Sequence, residues 1–164
     1  MYNPDRFNSP EYLNVIDHSA SDLRCMIRQD ACLLIRNSGA MHYPLEACGL
    51  LIGNVQDHTW VIDEAREVRN TNTERAADRF QLDPDEYRET DLELSKNNRD
   101  IIGIYHSHPD CPAKPSPTDL ASAWEGYAYI IVSIHNGTPA DLNCWALNVQ
   151  GNKFCPVPLQ EITS

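Results

Sequence analysis

Long apolar runs are missing from these 164 residues: no stretch approaches the ~18 consecutive apolar residues of a membrane-spanning helix, so no membrane association is expected. Basic residues are scarce, with 13 Lys and Arg against 24 Asp and Glu and a formal net charge of −11 at pH 7. Binding to a phosphate backbone draws on clustered Lys and Arg, so nucleic acid is not expected as a partner. Neutral or basic partners fit that charge better. The start, Met-Tyr-Asn-Pro-Asp-Arg, has neither the charged nor the apolar region of a secretory signal, and a cytoplasmic location is expected. No C-x-x-C pair occurs among the six cysteines, and without a secretory context they are read as free thiols that fill apolar space. Repeats and interdomain linkers are also absent. That leaves one domain over residues 12–164, with 41 % apolar residues to build its core, behind a flexible polar tail at 1–11.

What is present concentrates between Ile101 and Asp119. The apolar, β-branched run Ile101 to Tyr105 has the composition of a buried strand and leads directly into His106 and His108. Side chains at i and i+2 of a strand leave the same face, so both imidazoles can reach one ion at ~2.0–2.1 Å. After a Pro-rich loop, Ser116-Pro117-Thr118-Asp119 has the pattern of a helix start, with Ser116 at the N-cap and Pro117 at the first helical position. Taken alone, that tetrapeptide is an ordinary capped helix start, and a strand histidine is more often structural than a ligand. Together, two histidines and a carboxylate make three protein ligands, the number that leaves a catalytic zinc one open position. Glu46 stands immediately before a second apolar run, Cys48 to Ile52, where it could overhang the end of a neighbouring strand and exchange protons with a zinc-bound water.

The pattern Pro44-x-Glu46-x-Cys48-Gly-Leu-Leu-x-Gly53, followed by His106-x-His108, seven residues, Ser116, two residues and Asp119, resembles the complete JAMM (MPN-plus) metalloprotease motif. Arg79-Phe80-x-Leu82-Asp83-Pro84 and Trp124-x-Gly126-Tyr-x-Tyr129 are similar to compact bacterial members, relatives of peptidases that trim small ubiquitin-like sulfur carriers ending in Gly-Gly. The resemblance implies zinc bound by His106, His108 and Asp119, with Glu46 as general acid and base. It also implies that Ser116 helps hold the oxyanion, a role that competes with capping the helix. The implied partner is a sulfur-carrier or ubiquitin-like protein with a Gly-Gly tail, which could add as a strand beside an exposed sheet edge. The connection from Asp119 to Tyr127 is too short for the loop that helps larger eukaryotic relatives clamp ubiquitin, so selectivity for a chain linkage is not implied.

Three other readings fit the sequence less well. A non-catalytic MPN-type scaffold that recognises a ubiquitin-like partner commonly lacks the ligands that are complete here. A zinc nucleoside deaminase needs H-x-E and P-C-x-x-C, both absent. A serine hydrolase needs a strained G-x-S-x-G elbow, which Pro115-Ser116-Pro117 does not supply.

Along the chain, apolar spacing predicts a helix from about Ser21 to Ser38, closed by Gly39, with Cys25 and Cys32 on its buried face. Short strands are expected at 13–17, 50–52, 59–65 and 80–82, and a polar loop near the site at 70–78. A helix is expected from Asp83 to about Asn97. The brief helix from Pro117 to about Trp124 is followed by strands at 127–134 and 142–148, joined by the turn His135-Asn136-Gly137. Cys111 falls in the loop beside the site and is read as packing. His18, His42, His58 and His135 are read as surface or turn residues, and Trp124 is placed near the cleft. The interleaving predicts an α/β three-layer sandwich, a mixed sheet with flanking helices, of the JAB/MPN, cytidine-deaminase-like kind that the resemblance implies.

Overall fold

Isoleucine and valine build the centre of the sheet. In β4 (Asp100–Pro109) every residue but the first is buried, and in β5 (Ala128–His135) every residue but the last. Burial on both faces marks strands covered by helices on each side. The structure, a computed structural model, describes residues 4–19 and 21–163. Its other strands are β1 (Arg24–Arg28), β2 (Cys48–Gln56), β3 (Thr59–Val68), β6 (Thr138–Leu147), β7 (Phe154–Val157) and β8 (Leu159–Ile162). All eight form one sheet in the order β7-β6-β5-β4-β2-β3-β1-β8. The pairs β4/β5, β1/β3 and β1/β8 are parallel and the rest antiparallel, the mixed sheet that the sequence predicts.

One face packs on α2 (Gln29–His42), whose Ala31, Cys32 and Ile35 join Leu51, Tyr105, Ile130 and Val132 in one core. On the other face, Leu94 of α3 (Pro84–Ser95) covers Leu50 and Ile52, and Leu120 of α4 (Pro117–Ala121) packs with Ile104, Tyr129 and Ile131. β7 and β8 lie at opposite ends of the strand order, yet only Pro158 separates them in the chain. Its carbonyl accepts from Cys25 N at 2.9 Å. The two ends of the sheet therefore meet at this residue, and the sheet curls around α2.

Several expectations are corrected. The helix predicted from Ser21 is a strand, β1, before it becomes α2. Residues 24–28 alternate in burial and pair with β3 and β8, long-range partners that helical spacing cannot reveal. Cys25 and Cys32 thus lie on different elements, though both are buried in the same core. Gly39 does not cap α2 but lies within it, where a Cβ would come within 2.7 Å of Ile134 Cδ1. The strands expected at 13–17 and 80–82 reduce to single bridges, Ile16 with Phe154 and Leu82 with Asn70.

The segment 4–11, expected to be a loose tail, is folded, and residues 1–3 lie outside the described ones. Pro4–Asn8 forms a 3-10 turn, and α1 (Pro10–Leu13) follows, with the Ser9 hydroxyl accepting from Tyr12 N at 3.3 Å. Phe7 is the anchor. It is buried against Tyr12 and against the ring of His108, whose centroid is 5.6 Å away.

Candidate active site

β4 carries His106 and His108 onto the α4 side of the sheet, and their Nε2 atoms lie 3.0 Å apart. Asp119 reaches both, with Oδ1 3.3 Å from His106 Nε2 and Oδ2 3.5 Å from His108 Nε2. An ion held tetrahedrally by bonds of ~2.0–2.1 Å separates its ligands by roughly 3.3–3.4 Å. The two Nε2 atoms and the Asp119 carboxylate are thus close enough together to face one metal. The His108 Nδ1 proton has a carbonyl acceptor in Pro112 O at 2.8 Å, which leaves the Nε2 lone pair directed at the cluster. His106 stacks on Phe80, with centroids 4.5 Å apart, and its buried Nδ1 has no hydrogen-bond partner among the described residues.

Asp119 is placed by the start of α4. Ser116 N donates to Asp119 Oδ2 at 2.8 Å and Asp119 N donates to Ser116 Oγ at 3.1 Å, a reciprocal capping box. Glu46 enters from the other side. β2 runs antiparallel to β4 with Cys48 opposite His106, which carries the preceding Glu46 towards His108. Its Oε1 stands 3.9 Å from His108 Nε2, and Glu46, His106 and His108 offer ligand atoms within 4.8 Å of one another. Asp119 lies closer to the two histidines than Glu46 does. Glu46 stands one step outside.

Residues 28–148 match the family model of prokaryotic homologs of the JAB domain. The chain belongs to the prokaryotic JAB family. It is 36 % identical over 116 residues to a desampylase of Haloferax volcanii, a match that spans 70 % of this chain and 78 % of that one. With a CysO-cysteine peptidase of Mycobacterium tuberculosis it shares 31 % over 109 residues, 66 % of this chain and 72 % of the relative. The solution structure of a Desulfitobacterium hafniense protein covers 85 % of this chain and 94 % of its own at a TM-score of 0.74 and 20 % identity, a likeness of fold alone.

The charges in this JAB site suit metal binding. Burial lowers the pKa of His106 against the pull of Asp119, which favours the neutral ring that a metal needs. Burial alone would raise Asp119, but His106 and His108 hold it well below the carboxylate range. Glu46 goes the other way: burial, then Asp119 and Asp78, push it well above that range, with Arg6 and Arg79 opposing.

Two clefts adjoin the cluster. One, of about 420 Å³, ends on His106 and Asp119 and is walled by Phe80, Leu82, Tyr87 and Trp124, which places Trp124 where the sequence put it. The other, of about 370 Å³, includes Glu46. β4 is paired on both sides, with β2 and with β5, so the edges of the sheet are β7 and β8.

Sequence reasoning missed the residues that fix Glu46. The Ser107 hydroxyl, between the two histidines, accepts from Ala47 N at 2.8 Å, and Ser107 N donates to Ala47 O at 3.0 Å. Asn70 Nδ2 donates to the Glu46 carbonyl at 3.1 Å, and Glu46 N donates to Ala76 O at 2.7 Å. The only signal was position: alternation on the strand sends Ser107 to the face opposite its neighbours, so it cannot be a third ligand. Ser107→Ala leaves a buried N–H unpaired, at a cost of about 1–3 kcal/mol. A fall in kcat at unchanged metal content is expected as Glu46 loosens, to be checked by melting and metal analysis alongside cleavage.

Proposed function

We propose that this chain hydrolyses, with zinc, the peptide or isopeptide bond after the Gly-Gly tail of a small ubiquitin-like or sulfur-carrier protein. The chain is a JAMM-type peptidase, and its relatives named desampylase and CysO-cysteine peptidase support a ubiquitin-like protein tail as substrate. The observation that carries the zinc reading is the spacing of His106, His108 and Asp119, with Glu46 just beyond them.

His106, His108 and Asp119 would hold the ion. Bound there, zinc would polarise the scissile carbonyl and make a water acidic enough to attack near neutral pH. Glu46 would take a proton from the attacking water and deliver it to the departing nitrogen, and burial, which raises its pKa, favours its holding the proton between the two transfers. Ser116 serves twice. Its oxygen accepts from Asp119 N, and the hydroxyl proton is left to donate to the oxyanion.

The test is cleavage of a carrier protein extended past Gly-Gly. Zinc-loaded wild type is expected to release the extension and chelated protein to do nothing. Ser116→Ala is expected to lose ~10²-fold in kcat with zinc retained, and about 1 kcal/mol of stability from the lost cap. Failure of the zinc-loaded protein to cut would overturn the substrate assignment. A lower melting temperature with full kcat would reduce Ser116 to a cap.

A further inference from the structure

The family match begins at residue 28, yet a segment well before it reaches the metal cluster. Val15 and Ile16 root that segment in the core with Ile104, Tyr129 and Phe154. Asp17 N donates to Phe154 O at 2.7 Å, and Phe154 N donates to Val15 O at 2.8 Å. From this root, α1 and the 3-10 turn lead back to the active site. There the Arg6 guanidinium lies over the rings of Phe7 and Tyr12, 5.6 and 5.5 Å from their centroids. It also lies 3.7 Å from the carboxylate of Asp78, a residue that lines the first cleft. Phe7 is buried beneath it, with its ring against that of His108.

The sides of the cluster are not equally open. His106 and Asp119 line one cleft and Glu46 the other, whereas His108 lines neither and is only 2 % exposed. The last torsion of a histidine side chain is broad, so contacts decide how its ring is turned. His108 has two besides the cluster itself: Nδ1 faces Pro112 O at 2.8 Å, and the ring packs against Phe7 at 5.6 Å. The hydrogen bond selects the tautomer but is a single point about which the ring can rock. An apolar ring against it restricts that rocking and keeps water away, and the apolar shell of a metal site governs solvent access to the ligands. Phe80 gives His106 a comparable partner from within the family match. We propose that Phe7, from outside that match, is a positioning residue of the metal site: it holds the His108 ring with Nε2 towards the cluster and closes that side to water. This rests on the zinc reading of His106, His108 and Asp119. Its consequence is slow release of the bound ion.

The experiment loads the full chain with one equivalent of zinc and follows transfer of the ion to a chromophoric chelator in excess. Phe7→Ala is expected to release zinc roughly tenfold faster and to bind it roughly tenfold more weakly than wild type. The visible spectrum of the cobalt(II)-loaded variant is expected to differ from that of wild type, because it reports how the ligands are arranged. Phe7→Leu, which refills most of the space, is expected to restore most of the retention. Ile35→Val, a change in the core on the α2 side, is expected to lower the melting temperature and leave zinc release unchanged. If Phe7→Ala melts lower but keeps the release rate and the cobalt spectrum of wild type, Phe7 is a packing residue only and the inference falls. If wild type itself binds no zinc, the zinc reading falls and the inference with it.

Discussion

Glu46→Gln is expected to abolish turnover, with a loss of ~10²–10⁴-fold, while the protein still binds its metal. The amide has nearly the same volume and fills the same buried space but can neither take a proton from water nor return one to the amine. Metal should stay because Glu46 is not among the closest ligands: its oxygen lies 3.9 Å from His108, whereas the mutual contacts of His106, His108 and Asp119 are 3.0 to 3.5 Å. A stability effect of definite sign accompanies it. Burial, with Asp119 and Asp78 nearby, raises the pKa of Glu46 in the fold, so the fold prefers the protonated acid. That contribution is fully present below the ordinary carboxylate pKa and is lost as pH rises through the raised one. Metal-free Glu46→Gln should therefore melt higher than metal-free wild type at neutral pH, with the difference closing as pH falls below the carboxylate range. Loss of zinc from the variant would make Glu46 a ligand and contradict the assignment. A difference in melting temperature that stays constant with pH would contradict the origin given for the raised pKa.

Gly49→Ala is expected to destabilise the sheet severely. A Cβ on Gly49 would lie 2.2 Å from the Arg66 carbonyl oxygen and 2.2 Å from Cε1 of Tyr105. The carbonyl belongs to the β2/β3 pairing, and Tyr105 is fully buried with its hydroxyl donating to Ser38 Oγ at 3.1 Å, so neither yields easily. Overpacking of this severity costs about 3 kcal/mol or more. In a chain of this length that is a fall in melting temperature on the order of 10 °C. Because Cys48 and Ala47 connect Gly49 to Glu46, cleavage should fall at temperatures where the variant is still folded. Thermal melts and cleavage on soluble variant check both, and an unchanged melting temperature would mean that β2 accommodates a side chain here.

The candidate site was legible because its geometry is encoded locally. His106 and His108 share a face by the period of a strand, and the Asp119 carboxylate is aimed by a cap written in four consecutive residues. Glu46 was legible because only its strand had to lie beside β4. What escaped depends on distant partners. Residues 24–28 have apolar spacing that suits a helix, and only their parallel pairing with β3 and β8 makes them a strand. β7 and β8 are four residues each, too short for periodicity to register. Phe7 lies in a polar, Pro-containing stretch that local composition marks as loose, and the ring of His108 that helps order it is about a hundred positions away.

The meeting of β7 and β8 at Pro158 also imposes a timetable on synthesis. Until residues 154–162 have left the ribosome, β6 and β1 each present an unpaired flank, because their outer partners have not yet been made. Such flanks are templates for association with other chains. A single stretch of nine residues covers both flanks together and leaves as the sheet's edges only β7 and β8, strands of four residues each.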